Sequence, residues 1–408
     1  MVAIGAGVAF AMGAAPADAQ TATAGQLLIS EFRLRGPSGA QDEFIELYNN
    51  SGASHTVVAA SGTGYGVAAS DGTTRCSIPN GTIIPAGGHY LCVNSATYSI
   101  GAYPGGNGTT ATGDATYTTD IPDNAGIALF NNNPGGGSYS LANRLDAVGS
   151  TSEANTTYKE GTGYPALTPF SIDYSFYRDD CGKVGSITTM GVCTVSTPVD
   201  TDNNATNFIF VDTNGTSAGA GQRLGAPGPQ NLSSPIQRNS TFATVLIDAT
   251  VSGSNPPNRL RDFTSIPAQN STFGTISLRR RFVNNTGGNV TRLRYRVVDI
   301  TTFPAPSGIA DLRPRTSASV VVAGINDAAT CLATGAPVTP PCTATVQGTT
   351  LETPPAQPNG SGFNGSMSAG TVTLGTPLAN GASINLQLLN GIQQTGNFKV
   401  YLNIEALP

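Results

Sequence analysis

Alternation of apolar and polar residues, rather than a helical period, runs through this chain. Phe398, Val400, Leu402 and Ile404 point one way and Lys399, Tyr401, Asn403 and Glu405 the other, and Ile384, Leu386 and Leu388 repeat the theme upstream. Such a pattern predicts half-buried antiparallel strands. Near the other end, residues 27–50 read as two strands: Leu27, Ile29 and Phe32, then Phe44, Ile45, Leu47 and Tyr48, with Gly36, Pro37, Gly39 and Asp42 as turn chemistry between them. Further strand-like runs at 56–60, 82–93, 126–131, 144–149, 172–178 and 208–211 are separated by clusters of Gly, Asn, Pro and Asp. Runs 275–283 and 290–298 flank Asn284-Asn285-Thr286-Gly287-Gly288-Asn289, which predicts a hairpin with Gly free to take positive φ. Beyond the first 20 residues no capped 3.6-period segment occurs.

These runs predict an all-β chain of two β-sandwich domains, and 408 residues suffice for two cores. Fifty Gly, 27 Pro and 11% charged residues fit a loop-rich β protein, while 15 Phe and 13 Tyr supply apolar surface enough to offset ordering entropy. The first domain is expected over 26–195. A closing strand and a Gly/Pro linker follow over 196–235, because Gly225-Ala226-Pro227-Gly228-Pro229 can be neither helix nor good sheet interior. The second domain is expected over 236–408, with the Pro-rich run 353–365 as a surface loop inside it.

Residues 1–19 are apolar and small and end in Ala17-Asp18-Ala19, the form of a secretory signal, although a basic n-region is missing. No later run approaches the length needed to span a bilayer, so the mature chain is expected outside the cytoplasm, secreted or at the cell surface. Six cysteines fall into near neighbours, Cys76 with Cys92, Cys181 with Cys193 and Cys331 with Cys342, and an even count in an exported chain reads as disulfides.

Several landmarks in order resemble the bacterial exported type of lamin-tail domain: ISEFR at 29–33, the GPSGAQDEFIELYN run at 36–49, AGGHYLCVN at 86–94, GIALFN at 126–131, RLDAVG at 144–149 and EGTG at 160–163. The resemblance covers the first domain only. It implies an immunoglobulin-like sandwich there and permits binding of proteins or nucleic acid without requiring catalysis. The second domain resembles no family.

Charge divides the chain. Residues 20–238 carry 17 acidic and 9 basic side chains, and residues 239–408 carry 7 and 11. Ten arginines lie between Arg259 and Arg315. On the expected hairpin, Arg279 and Arg281 share one face and Arg292, Arg294 and Arg296 share one, a stripe that reads first as a solvated or structural face, then as a docking surface for the acidic first half, then as a site for anionic ligands. Asp200, Asp202 and Asn204 alternate like the opening of an EF-hand loop, but the Gly and the bidentate Glu of that motif are absent, which favours Asx-turn chemistry and leaves a looser Ca²⁺ site with Asp212 as its rival. Glu31 and Glu46 could meet on adjacent strands; like charges directly opposite repel, so exposure or pairing with Arg33 or Arg35 is expected. Gly215-Thr216-Ser217-Ala218-Gly219 has nucleophile-elbow spacing, yet neither a helix nor a histidine follows it. No other cofactor is implied.

The reading is a non-catalytic exported surface, adhesion or scaffold protein whose partner is a protein or an acidic surface polymer. Its rivals are a module binding extracellular DNA or acidic glycan through the arginine face, and an accessory to a metal-dependent hydrolase.

Overall fold

The computed structural model describes residues 20–103, 110–134, 139–180, 197–333, 339–352 and 359–407. The described residues are overwhelmingly β, with helical turns of three to six residues. Two pairs of large sheets, with two two-stranded ribbons beside them, make up the described β-structure, and no strand is shared between pairs.

In the first sandwich a six-stranded sheet runs in the order Phe208–Asp212, Tyr174–Arg178, Leu27–Arg33, Phe44–Asn49, His89–Asn94 and Ala115–Tyr117. It packs on a four-stranded sheet of Arg144–Val148, Ile127–Phe130, Gly64–Ala69 and Thr74–Pro79. The expected opening pair forms with Leu27 opposite Asn49 and Phe32 opposite Ile45, and a bulge lies between Ile29 and Glu31. Leu27, Ile29, Phe32, Ile45 and Leu47 from one sheet meet Tyr65, Val67, Ile127 and Leu129 from the other in a common core. Cys76 on one sheet bonds Cys92 on the other, so this disulfide joins the two layers. Cys331 bonds Cys342 beside a small satellite core. Cys181 and Cys193, like the expected signal at 1–19, lie outside the described residues.

The second sandwich pairs a five-stranded sheet (Ile236–Gln237, Val400–Leu407, Arg292–Ile300, Ser366–Ser368, Thr350–Glu352) with a sheet of Phe242–Leu246, Thr275–Asn284, Ser383–Gln394 and Asp311–Arg315. Arg259–Asp262 adds to the free edge of Thr275–Asn284. Here the structure corrects the hairpin reading. Thr275–Asn284 pairs with Ser383–Gln394, whereas Arg292–Ile300 pairs with Val400–Leu407 in the opposite sheet. The 284–289 segment therefore crosses between layers, held by Asn284, whose side chain donates to the Leu378 and Gly288 carbonyls. Phe282 and Tyr295 then pack across the sandwich, ring centroids 4.7 Å apart.

The two sandwiches also share a core, in which Tyr177, Ile209 and Val211 of the first unit join Leu293, Val297 and Phe363 of the second. Residues 224–231 are buried throughout, so the expected Gly/Pro linker is an inserted strip rather than an exposed tether. The glycines make this geometry available: a Cβ on Gly225 would strike the Phe363 carbonyl, and one on Gly228 would strike Arg296 Nη1. Residues 360–365, expected at the surface, are buried for the same reason.

Candidate functional site: an ionic seam between the sandwiches

Cross-strand register fixes what the six-stranded sheet presents on its outer face. Glu31 stands opposite Glu46 on one side and Tyr177 on the other, and Tyr48 stands opposite His89. On the five-stranded sheet, Arg294 stands opposite Glu405 and Arg296 opposite Asn403, with Ser366 and Ser368 on their far side. These two faces look at each other. The alternation read from the sequence is right about which residues share a face, but the polar face is buried too.

Glu405 holds both arginines, accepting from Arg294 Nε through Oε2 at 2.6 Å and from Arg296 Nε through Oε1 at 2.7 Å. Arg296 Nη1 donates to Asn364 Oδ1 at 2.8 Å, and Asn364 Nδ2 donates in turn to Glu31 Oε1 at 3.0 Å. The inserted strip closes the network: Gly228 N donates to Glu31 Oε1 at 2.9 Å and Gln230 N to Glu46 Oε2 at 2.5 Å. Ser30 Oγ donates to Glu46 Oε1 at 2.5 Å. Farther along, Arg294 reaches Glu352 at 3.7 Å, and Asn403 Nδ2 donates to Asp180 at 2.8 Å.

Burial governs the electrostatics. It raises the Glu31 carboxyl above the usual range, and it raises Glu46 well above it with the Glu31 charge adding to the effect. Burial also opposes ionisation of Glu405, but Arg294 and Arg296 outweigh it and hold that carboxyl below its ordinary value. His89, with Nε2 at 3.7 Å from Glu46, is pushed down to about 3 by burial and is neutral near pH 7. The cavity among these groups measures about 60 Å³, room for a few waters. Such a volume is too small for a polymer or peptide substrate.

The expectation for Glu31 and Glu46 is thus corrected. They are directly opposed despite the expected repulsion, and they are buried facing Arg296. Arg33 is instead taken by Asp42 and Asp173, and Arg35 by Asp123.

The arginine stripe divides: only Arg294 and Arg296 fit the reading of a docking surface for the acidic first half. Arg294 and Arg296 are internal. Arg279 and Arg281 share the outer face of a different sheet, Arg279 donating to Gln387 at 3.3 Å, and Arg292 is half-buried with Nη1 on the Thr291 carbonyl at 2.7 Å.

The Ca²⁺ set of Asp200, Asp202, Asn204 and Asp212 is not brought together as a ligand shell. Asn204 Oδ1 accepts from Gly149 N and Glu160 N, and both Asp212 oxygens cap the turn at 214–216. Asp200 sits beside Asp146 and Glu160, which the sequence offers only as parts of the 144–149 and 160–163 landmarks and not as ligands. Burial, followed by the charges of Asp146 and Asp200, pushes the Glu160 carboxyl up to about 9.

Glu405, Asn364 and Gly228 are the seam residues that pattern reading missed. The available signal was the lone acid on the otherwise basic second half's last strand, opposite a run of alternating arginines. No helix among the described residues is long and apolar enough to cross a membrane. Compared with protein-family models, curated proteins and solved structures, the chain finds no match in any of the three, so the lamin-tail resemblance rests on the sequence landmarks alone.

Proposed function

We propose that the protein is a non-catalytic, exported surface, adhesion or scaffold module in which two β-sandwiches act as one body and the second presents the binding surface. The observation that carries this reading is a groove of about 260 Å³ at the open edge of the second sandwich, lined by Arg259, Arg261, Ile276, Leu312, Ile392 and Phe398. Beside it, Leu260, Phe263, Ile266 and Phe273 are all exposed, Phe263 at 79%. An apolar floor with two cations at its wall, next to exposed aromatics, suits a protein partner that carries acidic and apolar side chains together. Arg261 stacks over Phe263 at 4.5 Å, which keeps the aromatic ring at the surface in a fixed attitude. Disulfides of the kind formed by Cys76–Cys92 and Cys331–Cys342 support an extracytoplasmic address.

The rival reading, binding of DNA or acidic glycan by the arginine stripe, loses Arg294 and Arg296 to Glu405. Surface plasmon resonance with the full chain against cell-surface proteins, duplex DNA and acidic glycans separates the two. The expected result is protein binding that survives raised salt and falls at least tenfold in Phe263→Ser. Binding to DNA or glycan that collapses with salt, or turnover of any member of an ester, glycan and nucleic-acid panel, overturns the proposal.

A further inference from the structure

We propose that Asp146, Glu160 and Asp200 form a Ca²⁺ site in the first sandwich. Three segments far apart in sequence meet there: Asp146 lies on Arg144–Val148, Glu160 follows the turn Thr156–Tyr158, and Asp200 precedes the helical turn Asn204–Asn207. One oxygen from each lies within 4.8 Å of the others. Acidic clusters alone are commonplace. The distinguishing feature is Glu160, which is 5% exposed and whose Oε2 has no hydrogen-bond partner, while Oε1 faces Arg144 at 3.3 Å. A buried carboxylate oxygen without a donor is costly unless something else binds it.

The surroundings hold the ligands in place and leave one oxygen each on Glu160 and Asp200 unused, while both Asp146 oxygens are engaged, Oδ1 by Ala147 N at 2.9 Å and Oδ2 by Ile29 N at 2.6 Å. Arg178 donates to Asp146 Oδ2 at 2.5 Å and to Asp200 Oδ1 at 3.2 Å, and Asn207 donates to the same Asp200 oxygen at 3.3 Å. Asp200 Oδ2 is left over. Asn204, expected as a ligand, instead clamps the backbone of Glu160 to that of Gly149 at 3.0 and 2.9 Å, so the carboxylates are positioned before any ion arrives. Asp200 is only part-buried, its side chain 19% exposed, which gives the ion a way in. With all three carboxyls ionised in the bound state, Arg144 and Arg178 offset two of the three negative charges, and one remains for the cation.

The donor set is oxygen throughout, which favours a hard cation over zinc. Ca²⁺ accepts a variable shell of oxygens, whereas Mg²⁺ demands a near-ideal octahedron, so Ca²⁺ is the better fit to three carboxylates from separate segments. The neighbouring arginines weaken attraction, so the affinity belongs with extracellular Ca²⁺ modules, Kd about 0.1–1 mM.

Isothermal titration of the chelator-treated full chain with CaCl₂, together with its melting temperature in chelator and in millimolar Ca²⁺, tests the site. We expect single-site binding, a rise of several degrees in Tm, and a loss of at least tenfold in affinity for both Glu160→Gln and Asp200→Asn. If Glu160→Gln does not fold, the part-buried Asp200→Asn decides. Absence of binding and of any Tm shift in the wild type, an equal response to MgCl₂, or wild-type affinity in Asp200→Asn overturns the assignment.

Discussion

Arg279 and Arg281 alternate along one strand as Arg294 and Arg296 alternate along another, yet the two pairs have different fates. The first lies on an outer sheet face, where Arg279 is as little exposed as Arg296 but has only a neutral partner in Gln387, and Arg281 is half-buried. The second is enclosed between sandwiches and gripped by Glu405. Alternation determines which residues share a face; it does not reveal whether water or another domain covers that face. In the covered case each charge must find a partner, because a buried ion left alone is far more expensive than an exposed one.

The sharpest way to break the comparison is to truncate one member of each pair. Arg296→Ala leaves Glu405 with Arg294 alone and Glu31 without the cation it faces, and is expected to destabilise the protein by about 3–5 kcal/mol in urea unfolding. Next is Gly228→Ala, whose new methyl meets Arg296 Nη1; it should destabilise by about 1–3 kcal/mol without removing any charge.

A third effect separates charge from shape. The folded state holds the Glu46 proton more tightly than the unfolded chain, whose glutamates titrate near 4.5, so this group's contribution is fully present below that pH and is lost as pH rises toward the raised folded value. His89 acts oppositely, since its folded value near 3 removes stability as pH falls below about 6.5. Glu46→Gln isolates the carboxylate: its stability relative to the wild type should increase from pH 5 to pH 8 by thermal melts, and a flat difference contradicts the assignment. The smallest expected effect is that of Arg279→Ala, under about 1 kcal/mol in the same urea experiment, because its partner Gln387 is neutral and keeps its other bond to the Ala318 carbonyl.

Much of the fold was legible because a period of two survives in Leu27, Ile29, Ile45 and Leu47 and in the Phe398 to Ile404 run, and because cysteines at short spacing close readily. The seam was not legible, for a physical reason. Arg294, Arg296, Asn403 and Glu405 look in sequence like any solvated edge of a half-buried strand, and only the approach of a second sheet converts them into an interior. Gly225 and Gly228 were equally ambiguous: a glycine and proline run serves as a flexible tether in water or as a thin strip that fits where a Cβ cannot. The 284–289 turn carried hairpin chemistry, but the apolar faces of both flanking strands needed the same core, and packing across layers satisfied both. Around Asp200 the alternation suggested a local loop of ligands. The carboxylates beside it come instead from residues 40 and 54 positions earlier, a separation no local motif encodes.

Hydrogen exchange followed by mass spectrometry on the wild type and Arg296→Ala tests most directly whether the seam binds the two sandwiches into one body. Loss of the Arg296 side chain from the second sandwich should unprotect amides in the first, at Phe44–Asn49 and in the buried strip 224–231, together with those of Arg292–Ile300. Deprotection confined to Arg292–Ile300 and its sheet neighbours, with the first sandwich unchanged, would contradict the account.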